Sequence, residues 1–381
     1  MTRPYLPGAT IGLMGSGQLG RMFAIAARRM GYRIQVYSPE KDTPAGQFAD
    51  REVTGAYEDE SAVRAFAKNL NLLTFEFENI PRQTIEWCGA ECEVRPAGSI
   101  LHTAQNRLRE KDFLSAASIP VAPYRGVRSP ADLASAFEEI QMPAILKSAA
   151  FGYDGKGQRF IDQAHRLNEI WADRPGDELI LERAVDFEKE VSVIVARGPT
   201  GEIATFPVCE NMHRDHILDI TVVPARVSDA VEKSAADLAR AIAEKMALVG
   251  LLAVEMFLQR DGTLLVNELA PRPHNSGHWT IEGCATSQFE QHVRAICGLP
   301  LGATNIVRPS AMANLLGDVW SDGEPNWAAA LGVKGVRLHL YGKHQPRPRR
   351  KMGHLTGLAD SPEAAIDAVS SARAALQGRA A

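Results

Sequence analysis

Glu255 and Glu268 stand on either side of an Asp-Gly dipeptide, Asp261-Gly262, inside the apolar runs Leu252 to Gln259 and Thr263 to Leu269. Asp-Gly between such runs signals a tight hairpin. With Asp261 and Gly262 as a two-residue loop, Arg260 faces Thr263, Gln259 faces Leu264 and Glu255 lands opposite Glu268. Their Cβ atoms would then be about 4.5–5.5 Å apart. Two ionised carboxylates that close, among Val254, Met256, Phe257, Leu265, Val266 and Leu269, repel strongly. Either one carries a proton or a cation sits between them. Magnesium takes one or two protein carboxylates plus phosphate oxygens in nucleotide sites, and the pair reads as such a site. An exposed pair on a sheet edge is the competing reading, and the apolar flanks weigh against it. Asn267 adjoins the pair, although strand alternation points it to the other face.

Gly15-Ser16-Gly17-Gln18-Leu19-Gly20 follows an apolar strand and opens a helix, where backbone N–H groups would meet a phosphate. The motif also fits a dinucleotide fold. However, the second strand ends Tyr37-Ser38-Pro39 without a ribose-binding acid, and Glu40 comes late. A phosphate-bearing substrate is therefore favoured over a nicotinamide cofactor, with a turn needed only for packing as the alternative. Gly152-Tyr153-Asp154-Gly155-Lys156-Gly157-Gln158 lies between two strands. It is no P-loop, because Gly157 stands where Ser or Thr would hold magnesium. Its amides and Lys156, with Lys147 ending the strand before it, suit a triphosphate; a plain surface turn is the other reading.

Glu182-Arg183-Ala184-Val185 ends a strand at a domain crossing, a place for a nucleobase to meet backbone groups. Glu190, on the polar face of the next strand, suits ribose hydroxyls; taken singly, Glu182 and Glu190 each read equally as surface glutamates, and they gain weight only as part of a set. Pro271-Arg272-Pro273-His274-Asn275-Ser276-Gly277-His278 follows the carboxylate hairpin directly, and its density of donors suits a small oxyanion. Lys343-His344 and Arg347-Pro348-Arg349-Arg350-Lys351 form the dense basic cluster, read either as a solvated loop or as a seat for a substrate phosphate.

Positioning these groups takes several units. Strand signals at Ala9–Met14, Arg33–Tyr37 and Leu72–Phe77 alternate with helical periodicity at Leu19–Met30 and Ala62–Leu70, the pattern of a parallel sheet covered by helices. This unit spans residues 1–105. A charged helix from Gln105 to Ser118 follows and stops at Ile119-Pro120. Residues 106–186 make this linker and a small domain carrying the second glycine loop. Residues 187–300 are strand-rich, with Val191, Val193 and Val195 alternating as in a half-buried strand and an amphipathic helix at Ala235–Val249. Residues 301–381 complete that unit and end in an Ala-rich helix. The fold class is thus α/β and α+β.

The 381-residue chain is 45% hydrophobic and 23% charged, with a net charge of -4, enough for a large core and no general attraction to nucleic acid or an anionic membrane. No stretch approaches the roughly 18 apolar residues that span a bilayer. Its 5 cysteines are scattered without a zinc-site spacing, so a cytoplasmic protein with reduced thiols is expected.

As a set, these motifs resemble the ATP-grasp superfamily and, within it, the 5-(carboxyamino)imidazole ribonucleotide synthases. The resemblance runs over nearly the whole chain. It rests on Gly15 to Met22, Thr74-Phe75-Glu76-Phe77-Glu78-Asn79, Gly152 to Gln158, Asn267-Glu268, Pro271 to His278 and Arg350-Lys351-Met352-Gly353-His354. It implies a Rossmann-like pre-ATP-grasp domain, a lid and a palm, with ATP between the last two. Arg107 and Lys147 would meet the phosphates, Glu182 to Val185 the adenine, Glu190 the ribose, and His213 and Asn267 the nucleotide. Glu255 and Glu268 would carry Mg2+, and Arg272, His274 and Asn275 bicarbonate. Ser16, Gln18, Leu19, Glu76, Asn79 and Asp154 would cradle aminoimidazole ribonucleotide, its phosphate near Lys343, Arg350 and Lys351. Asp154 would take the proton from its amine. The resemblance also implies a homodimer. Other ATP-grasp ligases, of formate-dependent transformylase or biotin carboxylase type, share the carboxylate pair and the lid. A non-catalytic ATP-binding regulator would need neither the pair nor the anion loop.

Overall fold

The computed structural model describes residues 3–150, 157–162, 167–174 and 176–377. Its first sheet contains β1 (Thr10–Met14), β2 (Arg33–Ser38), β3 (Arg51–Thr54), β4 (Leu72–Phe75) and β5 (Glu93–Val94), all parallel in the order β3-β2-β1-β4-β5. Every residue of β4 is buried, as expected for a strand covered on both faces. Strand order reverses between β1 and β4. The crevice beyond their carboxyl ends is where such sheets take ligands. Ser16 follows β1 and Glu76 follows β4, so both open onto it.

The expected helix from Gln105 to Ser118 forms over Arg107–Ala116, and a separate helix that the sequence did not suggest, Gly98–Ala104, precedes it across a break. Asn106 causes the break. Its backbone is extended, and its side chain accepts hydrogen bonds from the amides of Leu108 and Arg109, capping the second helix. This linker helix leads into a second, antiparallel sheet of β6 (Tyr124–Val127), β7 (Ala144–Ser148), β8 (Gln158–Ile161) and β9 (Leu179–Arg183), ordered β6-β9-β7-β8.

The third sheet is the largest. It contains β10 (Lys189–Arg197), β11 (Ile203–Thr205), β12 (Cys209–Arg214), β13 (Ile217–Val223), β14 (Gly250–Leu258), β15 (Leu264–Ala270), β16 (Ser310–Leu316), β17 (Val336–Leu340) and β18 (Lys351–Leu358). The path runs β15-β14-β10-β12-β13-β16-β18-β17, with β11 beside β10. The amphipathic helix is Asp229–Lys245, capped by Ser228. Its Ala235, Ala239 and Ile242 pack on Val191, Val193 and Val195 of β10. The other face of β10 is buried too: Ile194 and Ala196 pack with Phe206 and Trp279. Half-burial of β10 was therefore the wrong expectation. Its alternation separates two cores rather than core from water.

Helix Gln288–Cys297 closes the third sheet against the first domain. Buried His292 reaches Thr74 of β4 at 3.0 Å, and the guanidinium of buried Arg95 donates to the Ile296 carbonyl at 2.6 Å. No helix among the described residues is long and apolar enough to cross a membrane.

Candidate active site

The carboxylate hairpin forms with a turn longer than expected. The Gln259 amide donates to the Thr263 carbonyl at 2.9 Å, and the Gly262 amide to the Gln259 carbonyl at 3.0 Å. The loop is thus Arg260-Asp261-Gly262, with Gly262 at φ 86°, a conformation that suits glycine. The ladder then pairs Leu258 with Leu264, Phe257 with Leu265 and Met256 with Val266. Continued regularly, it would set Glu255 against Asn267. Instead a bulge absorbs one residue, and Glu255 faces Glu268 as the sequence indicated. The bulge also corrects the expectation for Asn267. Buried and half-buried positions alternate from Leu264 to Val266, and then Asn267 and Glu268 are half-buried in succession, sharing the cleft face.

Burial, and then Glu268, push the Glu255 carboxyl up to about 8. That is the signature of negative charge lacking a counter-ion. No cluster of three or more metal-ligating side chains exists among the described residues, so the protein offers two carboxylates at this place. This donor set fits Mg2+, whose remaining ligands in nucleotide sites are phosphate and water oxygens. His274 Nε2 lies 3.3 Å from Glu255 Oε1. Burial drives this imidazole well below its ordinary range. Its Nδ1 accepts from the Ser276 amide, which leaves the ring proton on Nε2, facing Glu255.

On the nucleotide side, Lys147 and Glu182 are together, their charges 2.9 Å apart on neighbouring strands. Burial alone would raise the Glu182 carboxyl, but the Lys147 and Lys111 ammoniums hold it down at about 2. The Arg107 guanidinium donates to the Ser148 carbonyl at 3.0 Å. The amides of Arg183 and Ala184 are taken by the carbonyls of Pro123 and Pro143, so a base arriving there meets other groups of the Glu182–Val185 segment. Glu190 is paired with His213 across the sheet; burial opposes the imidazolium, and the carboxylate outweighs it and raises His213. Gly157 accepts from the Ser148 amide at 2.8 Å, and Gln158 faces Lys147 in the ladder. Gly152, Tyr153, Asp154, Gly155 and Lys156 lie outside the described residues.

The anion loop is less free than its composition suggested. Arg272 makes a bidentate ion pair with Glu78, at 2.7 and 2.9 Å, so its charge is already matched. His278 is fully buried against His354. The loop is fixed by Gln288, which accepts from the His274 amide and donates to the His274 carbonyl. Asn275 is the exception: it is buried, and neither atom of its side-chain amide has a partner. A buried amide so placed calls for a ligand or water.

The three glycines of the first loop spend their amides within the protein, that of Gly15 on the Tyr37 carbonyl. The N–H groups of Gly17 and Gly20 donate to the two oxygens of buried Glu76, the latter at 2.7 Å. A carboxylate of the protein holds the positive end of helix Gln18–Arg29. Ser16 is tied to Ser38 at 2.7 Å, Gln18 and Leu19 are half-buried on the first turn, and Asn79 is exposed. Opposite this end, the C-terminal basic residues converge. Lys343 donates to the Lys351 carbonyl at 2.6 Å, and burial, then Arg350, lowers its ammonium to about 8. Lys351 also acts electrostatically on Glu255, His213 and His274, and so stands between the two halves of the cleft.

Three charged residues had no role in the sequence reading: Glu78, named there only as part of a motif, and Glu110 and Lys111, not singled out at all. Glu110 and Lys111 are almost fully buried on the linker helix. The signal was present, since Leu108, Lys111 and Leu114 share a helical face that should be apolar.

Residues 8–105 match the ribonucleotide synthetase preATP-grasp domain, residues 112–289 the ATP-grasp domain, and residues 310–368 the phosphoribosylaminoimidazole carboxylase C-terminal domain. N5-carboxyaminoimidazole ribonucleotide synthase of Bacillus subtilis (strain 168) is 47% identical over 354 residues, 92% of this chain and 91% of that one. The crystal structure of an ADP complex of N5-carboxyaminoimidazole ribonucleotide synthetase superposes with a TM-score of 0.92 at 44% identity, covering 98% of each chain. The synthase of Aspergillus clavatus, in complex with ADP and 5-aminoimidazole ribonucleotide, gives 0.87 at 33% identity, covering 97% of this chain and 98% of that one. The chain belongs to the N5-carboxyaminoimidazole ribonucleotide synthase family of ATP-grasp enzymes.

Proposed function

We propose that this chain uses ATP to join bicarbonate to the exocyclic amine of 5-aminoimidazole ribonucleotide, in de novo purine synthesis. One observation carries the reading: two facing, half-buried carboxylates adjoin an anion loop with an unpaired amide, and Lys351 of the basic cluster acts on the same pair.

A bicarbonate oxygen attacks the γ-phosphorus of ATP, the bond to the β–γ bridging oxygen breaks, and ADP leaves. The product, carboxyphosphate, carries a good leaving group. The ribonucleotide amine attacks its carbon, a C–N bond forms, phosphate departs, and the amine proton passes to a base. Asp154 is our candidate for that base. Mg2+ held by Glu255 and Glu268 would offset charge on the phosphate oxygens. Arg107, Lys147 and the loop from Gly152 to Gln158 would hold the triphosphate, with Asn267 beside it. Glu182 to Val185 would meet adenine, and Glu190 with His213 the ribose. Asn275 and His274 would orient bicarbonate, and Arg272, fixed by Glu78, would add a polarised guanidinium edge. Ser16, Gln18, Leu19, Glu76 and Asn79 would line the ribonucleotide site, with Lys343, Arg350 and Lys351 at its phosphate. Closure over the cleft would keep water from carboxyphosphate.

The reading includes working units of residues 1–105, 106–186, 187–300 and 301–381, a homodimer and a cytoplasmic setting. The test is release of phosphate from ATP with bicarbonate and each candidate acceptor in turn. Release that depends on aminoimidazole ribonucleotide is expected; equal release with any other acceptor ends the assignment. Asp154→Asn should retain ATP binding and lose carboxylation, and full activity in that variant removes the proposed base.

A further inference from the structure

The bulge that brings Glu268 opposite Glu255 lies in β15, the edge strand of the large sheet. In a regular strand, successive carbonyls point to opposite edges. Here the Val266 and Asn267 carbonyls both reach one atom, Lys111 Nζ, each at 3.0 Å. Two successive carbonyls turned to one side could not be matched by the evenly alternating groups of a neighbouring strand. A single ammonium with three rotatable donors matches both. The adjoining groups are met by the same stretch of chain. Glu110 Oε2 accepts from the Leu269 amide at 2.9 Å, and the Pro120 carbonyl accepts from the Val266 amide at 2.8 Å.

Both side chains are buried, Lys111 at 1% exposure and Glu110 at 2%. Burial opposes the Lys111 ammonium, and the carboxylates of Glu182, Glu110 and Glu268 support it. A buried lysine and a buried glutamate on a helix that packing alone would fill with leucines are costly unless they act on something. What they touch is the backbone of the bulge, on both sides of Glu268.

We infer that Lys111 and Glu110 are positioning residues, which hold the β15 bulge in the register that sets Glu268 against Glu255. The inference rests on the assignment of that carboxylate pair to Mg2+. Neither residue is among those assigned to a substrate. Each acts through the strand, so its loss weakens the grip on the metal before it weakens the grip on the nucleotide.

The test is ADP binding by calorimetry with and without Mg2+. In the unsubstituted protein, Mg2+ should tighten ADP binding. In Lys111→Met, which keeps the volume and removes the donors, that enhancement should shrink at least about tenfold, a coupling loss of about 1.4 kcal/mol. ADP affinity without metal should fall far less, because Lys147, 2.9 Å from Glu182, still holds that carboxylate once Lys111 is gone. Lys111→Gln, which restores N–H donors, should recover part of the enhancement. A purely structural role would lower the melting temperature and leave the enhancement intact in the folded fraction, and that result overturns the inference. So does parallel loss of metal-free ADP affinity. Should Lys111→Met fail to fold, Glu110→Met, which frees the Leu269 amide alone, is read by the same criterion. If Mg2+ does not enhance ADP binding in the unsubstituted protein, the metal assignment itself fails, and the two failures are distinguished.

Discussion

Glu268→Gln should stabilise the free protein in alkali while stopping its turnover. Burial and the Glu268 carboxylate together move Glu255 from 4.5 to about 8. At roughly 1.4 kcal/mol per pH unit, that corresponds to about 5 kcal/mol of disfavoured charge. The folded chain binds this proton more tightly than the unfolded one. The stability it contributes is therefore complete below pH 4.5 and is lost as the pH rises through about 8. Burial is the larger cause and survives the substitution; the repulsion from Glu268 does not. If repulsion is somewhat under half, removing it returns about 2 kcal/mol above pH 8, or about 3 °C in melting temperature for a chain of this length. Near pH 6, where Glu255 keeps its proton in both proteins, the two should melt within about 1 °C of each other. Turnover should fall at least about a hundredfold, close to 2.7 kcal/mol of activation free energy. Thermal melts of metal-free protein across pH, with phosphate release measured on the same samples, make the assay. A variant that melts lower at every pH, or that keeps its turnover, refutes the argument that this pair is held in mutual repulsion for a cation.

Two further outcomes follow from the other side of the cleft. Lys343, lowered to about 8 by burial and then by Arg350, loses its charge as the pH rises through that value. The KM for the ribonucleotide should climb in that window, whereas Lys343→Met should show a KM raised about tenfold near neutrality and flat with pH. Gly17→Ala would place a Cβ 2.7 Å from Glu76 Oε1. The carboxylate must then give up its amide bonds, at a cost of about 2 kcal/mol in stability seen in a denaturant melt; an unchanged midpoint would show that Glu76 moves aside freely.

Much of this site was legible because its chemistry is local. The Asp261-Gly262 dipeptide located the hairpin, and apolar flanks marked Glu255 and Glu268 as a facing pair away from open solvent, which the structure gives as half-buried. What escaped involves partners distant in sequence. Glu76 takes the amides of Gly17 and Gly20, a contact no motif near Gly15 could reveal. Lys147 and Glu182, assigned to opposite ends of a nucleotide, are cross-strand neighbours because β7 and β9 pair. The burial of β10 on both faces depends on Trp279 and Phe206 arriving from elsewhere in the chain. Arg272 read as an open cation because Glu78 belongs to another domain.

The hairpin obeys a parity rule. Side chains change sides with each residue, so the turn's extra residue and the extra residue at Asn267 have to be counted together. An insertion or deletion of a single residue anywhere between Met256 and Asn267 turns one of the two glutamates away from the cleft, unless a second such change offsets it. Natural or engineered relatives that tighten this turn by one residue should therefore also have lost the bulge, and a chain that changed only one of the two would fold its sheet and carry no usable pair.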